Sequence, residues 1–120
     1  MKDKKIKFGT DGYRGIIAKD FTVEHVEYIA QGVSRYLLKK KDIKGKKPKV
    51  VIGYDTRFLS DYFAKCAAEI ISHNNVDALL SESFIPTPVL SNAVIDKKAD
   101  LGIMITASHN PYIYNGFKIK

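Results

Sequence analysis

The feature that most limits the fold is a short run, Leu101–Ile105, that contains no polar side chain. A run this short and this uniformly apolar is typical of a strand buried on both faces of a parallel sheet. Similar apolar segments at Val50–Ile52 and Val76–Leu80 predict two further strands, and Arg14–Ala18 predicts a first extended segment. We therefore expect Leu101–Ile105 to be a central strand.

Helical periodicity separates these strands. Thr22–Lys40 and Ser60–Asn74 have apolar residues at helical spacing, and each is expected to be capped by its first residue. Thr87 followed by a proline predicts the N-cap of a short helix that runs to about Asp96. The alternation of strands and helices predicts an α/β fold, namely a three-layer α/β/α domain with a mixed, mostly parallel sheet.

The last residues carry two further patterns. Tyr114–Phe117 places Asn-Gly between aromatic residues, which predicts a two-residue hairpin turn. Phe117–Lys120 alternates apolar and polar residues, as a half-buried strand does. Because the sequence stops at this strand, we expect residues 1–120 to be a single α/β domain truncated at its C-terminal end. An exposed strand edge would favour a homodimer, and a monomer kept soluble by its net charge of +7 is the alternative.

Composition narrows the functional classes. The single cysteine, Cys66, excludes an intramolecular disulfide, and no segment resembles a signal peptide or a membrane span. We expect a cytoplasmic protein with no membrane partner. The positive charge comes mostly from lysines, many of them in Lys2–Lys7 and Lys39–Lys49, without interleaved aromatic residues that stack on bases. This distribution favours solvated surface lysines over binding to nucleic acid.

Three loops follow the predicted strands at the sheet edge where ligands gather: Asp55–Ser60, Ser83–Thr87 and Thr106–Asn115. The third loop leaves a buried strand with small and polar residues, which would expose the hydroxyl of Ser108. A serine needs a base or a metal to become a good nucleophile. His109 is adjacent in sequence and would point to the opposite side, so we expect no simple dyad. An ordinary loop with a turn at its Asn-Pro pair is the alternative.

Gly9–Gly15 has a glycine at every third position and matches neither the dinucleotide-binding fingerprint nor a Walker loop. These glycines would let Arg14 approach a phosphate and bind it with two hydrogen bonds. A turn-rich segment with a surface arginine is equally compatible with the pattern. Asp55 and Arg57 are either a structural pair or a pair on the phosphate side of a site, and the sequence does not decide between them.

Four segments in this order resemble the α-D-phosphohexomutases of the phosphoglucomutase/phosphomannomutase type: Phe8–Gly15, Gly53–Arg57, Thr106–Pro111 and Asn115–Lys118. The resemblance covers nearly the whole chain. It implies the N-terminal domain I of an enzyme that interconverts hexose 1-phosphate and hexose 6-phosphate, with glucose or mannose as the sugar, through a bisphosphate intermediate.

The resemblance also implies roles for single residues. Ser108 would be the phosphorylated serine and a contact of Mg²⁺, with hexose 1,6-bisphosphate as the activator. His109 would lie beside the reacting group, and Lys118 would be a general acid/base. The residues implied to bind phosphate are Tyr13, Arg14 and Asn110, and Arg14 would contact the phosphoserine region as a catalytic residue.

The sequence contains nothing like the aspartate-rich metal loop, the sugar-selecting loop or the distal phosphate loop of that family. We therefore expect these 120 residues alone to be inactive. Three alternatives stay open: a phosphoglucosamine mutase, a phosphatase or esterase with a serine nucleophile, and a basic binding module. The second lacks a Gly-x-Ser-x-Gly elbow.

Overall fold

The computed structural model describes residues 12–40 and 47–120, so residues 1–11, which include Gly9–Asp11 of the glycine-rich segment, and residues 41–46 lie outside it. The described part contains five strands and three helices. In chain order they are β1 (Gly12–Ile16), α1 (Val23–Lys40), β2 (Lys49–Tyr54), α2 (Ser60–His73), β3 (Asp77–Leu80), α3 (Thr87–Asp96), β4 (Leu101–Ile105) and β5 (Tyr114–Ile119). None of these helices is both long enough and apolar enough to span a membrane.

The strands form one mixed sheet in the order β1-β5-β4-β2-β3. Strand β2 is parallel to both β3 and β4, whereas β5 is antiparallel to both β4 and β1. Four strands thus run in one direction and β5 runs against them, which confirms the mixed, mostly parallel sheet. Strand β4 lies in the middle, and all of its residues are buried, as its apolar sequence predicts.

Helices cover both faces of the sheet, which gives the expected three layers. Helices α1 and α2 contribute to the main core together with the sheet, where the ring of Phe63 meets Phe21 edge-on at 4.9 Å between centroids. Helix α3 contributes to a smaller cluster, in which Leu90 packs with Val51 and Met104. Leu90 is the only fully buried residue of α3, and the partly buried Ala93 and Val94 of this helix pack against the same cluster.

The helix starts are only partly as predicted. Thr22 Oγ1 accepts a hydrogen bond from the backbone N–H of His25 at 3.3 Å, as expected of a capping residue. The caps assigned to Ser60 and Thr87 are wrong, because Leu59 and Pro86 occupy those N-cap positions. Ser60 donates its hydroxyl to the carboxylate of Asp55 at 2.7 Å instead, and a charged acceptor makes the stronger hydrogen bond. Strand β1 begins and ends two residues earlier than predicted, and Ala18 follows it with φ 72° in a turn.

The predicted hairpin turn is wrong, because Tyr114–Phe117 lies inside β5. Asn115 is buried, and its Nδ2 donates to Ser60 Oγ at 2.9 Å. Gly116 lies between two backbones: a Cβ there would stand 2.7 Å from Thr106 O and 2.9 Å from Tyr13 O. Asn-Gly is therefore required by close packing within the sheet and not by a turn. Since β5 is paired on both sides, the edges of the described sheet are β1 and β3.

Candidate functional site

The carboxyl ends of β2, β3 and β4 bring the three predicted loops to one edge of the sheet. A cavity of about 480 Å³ lies there, lined by Asp55, Thr56, Arg57, Phe58, Ser108, Asn110 and Tyr112. An adjoining cavity of about 410 Å³ shares Asp55, Thr56 and Arg57 and extends to Ser83 and Phe84. The expected convergence of the loops is therefore found in the structure.

Ser108 lies on the loop after β4 with a backbone φ of 54°, in the left-handed region. Its Oγ accepts a hydrogen bond from Lys118 Nζ. Lys118 is only 7% exposed and belongs to β5, where its backbone pairs with Met104 of β4. The structure thus brings the predicted nucleophile and the predicted acid/base into direct contact.

Arg14 and Asn110 also meet at this site. Arg14 extends from β1, and its guanidinium donates to the Asn110 side-chain oxygen at 2.8 Å. The Asn110 N–H closes the loop by donating to the Ala107 carbonyl at 3.0 Å. The cationic side chain of Arg14 therefore contacts the loop that carries Ser108. The imidazole of His109 is exposed on the same loop.

Tyr13 is not brought to Ser108. Its ring stacks on those of Phe21 and His25, with centroids 6.0 Å and 5.7 Å away. Its hydroxyl donates to the Asp20 carbonyl, and burial raises the pKa of Tyr13. The contacts of this side chain are those of a core residue.

Arg57 is bound on every side. Its Nε lies 3.3 Å from the Asp55 carboxylate. The four remaining guanidinium hydrogen bonds run to backbone carbonyls: Ser108 at 2.8 Å, Asn110 at 2.7 Å, Pro111 at 2.8 Å and Tyr114 at 3.1 Å. A guanidinium has five N–H donors, so this network accounts for all of them. The alternative left open by the sequence is thereby decided for a structural pair.

Asp55 is the centre of a second set of bonds that the sequence did not indicate. One carboxylate oxygen accepts from Ser60 Oγ at 2.7 Å and from the Arg57 backbone N–H at 3.0 Å. The other accepts from the Thr106 hydroxyl. The signals for Thr106 were its position directly after a buried strand and its place in the Thr106–Pro111 segment, and neither indicated a bond to Asp55.

A metal ion finds few ligands in the part of the chain described. These residues contain no group of three or more His, Cys, Asp or Glu side chains placed to bind a metal ion. The carboxylate of Asp55 is already engaged by four donors. The magnesium contact expected of Ser108 stays a prediction.

Comparison with known proteins places the chain in a family. The family model described as Phosphoglucomutase/phosphomannomutase, alpha/beta/alpha domain I, matches residues 5–120. A Methanosphaera stadtmanae protein assigned as a phosphoglucosamine mutase is 40% identical over 119 residues, which are 99% of this chain and 25% of that protein. The phosphoglucomutase of Staphylococcus aureus strain USA300 is 38% identical over 123 residues, covering 98% of this chain and 21% of that protein.

A solved structure gives the same result. The crystal structure of a Thermus thermophilus protein assigned as a phosphomannomutase superposes with a TM-score of 0.89 and 42% sequence identity. The match covers 96% of this chain and 25% of that one. The chain thus spans a quarter or less of the length of these relatives. It belongs to the phosphoglucomutase/phosphomannomutase family and corresponds to domain I of that family.

Proposed function

We propose that this chain is the phosphoserine-bearing first domain of a longer phosphohexomutase, and that Ser108 carries the phosphoryl group. The observation that supports this most is the contact between Lys118 Nζ and Ser108 Oγ at the mouth of a cavity. An exposed serine held against a buried lysine has its hydroxyl oriented and a proton carrier in reach.

The proposed reaction transfers the phosphoryl group from Ser108 to the sugar. A hydroxyl of the bound hexose phosphate attacks the phosphorus on Ser108, the bond from phosphorus to Ser108 Oγ breaks, and a new bond joins phosphorus to the sugar oxygen. The sugar hydroxyl gives its proton to water in the open cavity, and Ser108 Oγ gains a proton. Lys118 Nζ donates to Ser108 Oγ, so its ammonium form stabilises the leaving oxygen and supplies that proton. In the reverse direction the bisphosphate returns its other phosphoryl group, and Lys118 takes the proton back.

Arg14 and Asn110 are proposed to bind the transferring phosphate, with His109 beside it. Phosphoryl transfer depends mainly on positioning and on neutralising charge. The guanidinium of Arg14 is exposed and lies 2.8 Å from the Asn110 side chain, which places it on the Ser108 loop. Tyr13 is left out of this proposal because its hydroxyl is donated to the Asp20 carbonyl.

The cofactor, activator and substrate follow from the same proposal. Bound Mg²⁺ supplies further neutralisation of charge on the phosphoryl group. The described residues offer it the oxygen atoms of a phosphorylated Ser108, and the remaining ligands would lie outside this chain.

Hexose 1,6-bisphosphate would act as the activator that restores phosphoserine. The substrate is a hexose phosphate, of glucose or mannose first and of glucosamine second, since relatives of each kind occur. The site of action is the cytoplasm, in keeping with the free thiol of Cys66.

Peptide mass mapping tests the role of Ser108. The full-length enzyme that contains this domain is incubated with a hexose 1,6-bisphosphate and digested. We expect stable phosphate on Ser108 alone, and no phosphate and no turnover in Ser108→Ala. Phosphate on another serine, with Ser108 unmodified, would contradict the proposal.

A second test measures whether this domain alone has the activity proposed for the whole enzyme. The purified 120-residue chain should not interconvert hexose phosphates, with or without Mg²⁺, because the cavity beside Ser108 is open and the chain spans a quarter or less of the length of its relatives. Turnover by this chain that disappears in Ser108→Ala would show that the later domains are dispensable.

A further inference from the structure

The backbone carbonyl of Ser108 is bonded directly to Arg57, and its backbone N–H is linked to Asp55 through Thr106. Its carbonyl accepts from an Arg57 NH2 group at 2.8 Å. Its N–H donates to Thr106 Oγ1 at 3.1 Å, and the Thr106 hydroxyl in turn donates to Asp55. The ion pair between Asp55 and Arg57, at 3.3 Å, joins the two ends. The backbone of the proposed nucleophile is therefore held on both sides, by Arg57 directly and by Asp55 through Thr106.

The backbone conformation of Ser108 needs such support. Its φ of 54° is uncommon for a residue with a side chain. Strained conformations of this kind persist where the surroundings fix them, and they cluster at functional sites. The hydrogen bonds at the N–H and the C=O of Ser108 act on the two peptide planes whose rotation would release the strain. The same conformation is the one in which Ser108 Oγ meets Lys118 Nζ.

We propose that Asp55 and Arg57 form a positioning pair that holds Ser108 in the left-handed conformation and so places its hydroxyl against Lys118. This inference rests on the proposed function, because it assumes that Ser108 is the residue that reacts. Arg57 is a positioning residue and not a phosphate ligand, since all five of its donors are engaged by Asp55 and by the loop backbone.

Lysine cannot reproduce this arrangement. A planar guanidinium presents five donors in a fixed fork, whereas an ammonium presents three donors around a point charge. Arg57→Lys keeps the charge beside Asp55 and loses most of the bonds to the loop. A misplacement of about 1 Å at a reacting group can lower the rate roughly 100-fold.

The kinetic experiment compares Arg57→Lys with Arg35→Lys in the full-length enzyme. Arg35 is exposed on α1, so Arg35→Lys is a matched control for the replacement of a guanidinium group by an ammonium group. We expect Arg57→Lys to lower kcat about 100-fold, with KM nearly unchanged, and Arg35→Lys to change neither. We also expect added guanidinium ion to restore part of the kcat of Arg57→Ala. A kcat for Arg57→Lys equal to that of the control, or a loss that only follows the fraction of unfolded enzyme, would overturn the proposal.

A second readout does not depend on activity. In the 120-residue chain, hydrogen exchange of the Ser108 amide is measured by NMR for the same variants. We expect faster exchange of this amide in Arg57→Lys, and unchanged exchange for the amides of β4. Unchanged exchange at Ser108 would overturn the positioning role by itself. If the full-length enzyme carries no phosphate on Ser108, the proposed function fails, whereas the exchange result still decides whether the pair holds the loop.

Discussion

Lys118 donates a hydrogen bond from the sheet interior to the exposed loop hydroxyl of Ser108. A buried ammonium is costly unless polar groups surround it. The contact therefore gives the buried lysine a polar partner and brings the proposed acid/base to the proposed nucleophile.

Lys118→Met is expected to abolish most phosphoryl transfer while leaving the fold intact. Methionine fills a similar volume and removes the proton carrier, and loss of a general acid/base typically costs about 10²- to 10⁴-fold in rate. The measurement is the rate at which phosphorylated Ser108 is discharged by hexose phosphate in the full-length enzyme. Lys120→Met, at an exposed lysine, is the control. Discharge at the wild-type rate would remove Lys118 from the mechanism.

Two glycines should respond to alanine in opposite directions. Gly32 lies in α1, where a Cβ would meet no atom within 4 Å, so Gly32→Ala should stabilise the chain by about 0.5–1 kcal/mol. At Gly116 a Cβ would press on the Thr106 carbonyl at 2.7 Å, and Gly116→Ala should cost roughly 1–3 kcal/mol. Urea denaturation of the 120-residue variants gives both values. If both substitutions changed the free energy of unfolding in the same direction, this interpretation of the two glycine positions would be contradicted.

Alkaline pH should weaken the fold through Cys66. Burial raises the pKa of its thiol, and the nearby carboxylates of Glu27 and Glu69 add to the rise. The folded state therefore keeps the proton after the unfolded chain, with a thiol pKa of about 8.5, has lost it. The contribution to stability is complete below that pH and declines as the pH rises towards the folded-state pKa.

The free energy of unfolding, measured in urea between pH 7 and about pH 9.5, tests this decline. Cys66→Ala is the control and should flatten the curve over that range. Tyr13, whose pKa is also raised by burial, contributes only at higher pH because an ordinary tyrosine titrates near pH 10. An identical decline in Cys66→Ala would assign it to other groups.

The edge strand β3 offers the surface for the expected self-association. The N–H groups of Asp77 and Ser81 donate to carbonyls of the β2 side at 2.9 Å, so those of Ala78 and Leu80 point outwards. Unpaired amides on an edge pair readily with a second strand. We expect concentration-dependent dimers of the 120-residue chain in light scattering, and monomers for Leu80→Pro, which removes an outward donor without breaking the ladder. A monomeric mass for the wild-type chain at high concentration would rule this out.

Local pattern was enough to predict most of the helices and strands. Leu101–Ile105 is a buried central strand because every residue in it is apolar, and this requirement can be seen without its neighbours. The same holds for the helical periodicity of Val23–Lys40 and Ser60–His73. Ser108 was indicated by its position after a buried strand and by the resemblance, whereas Lys118 was indicated by the resemblance alone. Neither their spacing nor their residue types predicts their contact.

The predicted turn failed because the partner of Asn115 is distant in sequence. Asn115 is a buried strand residue whose amide donates to Ser60, 55 residues before it. Ser60 is not a cap because a nearby residue, Asp55, accepts its hydroxyl. Arg57 is fixed by four carbonyls that follow it by 51 to 57 residues. The apolar periodicity of a short stretch of sequence depends only on neighbouring residues, so it does not indicate partners that are distant in sequence.

The pairing of β1 with β5 has a consequence for the order in which the domain forms. A ribosome delivers the N-terminal residues first, yet in the described part of the chain β1 pairs with β5 alone. The preceding helices and strands can pack while synthesis continues, whereas Gly12–Ile16 must wait for β5 to emerge. Arg14 and Asn110, 96 residues apart, meet only then. A nascent chain that lacks β5 has neither a complete sheet nor Lys118 beside Ser108, so the site matures in the same late step that closes the fold.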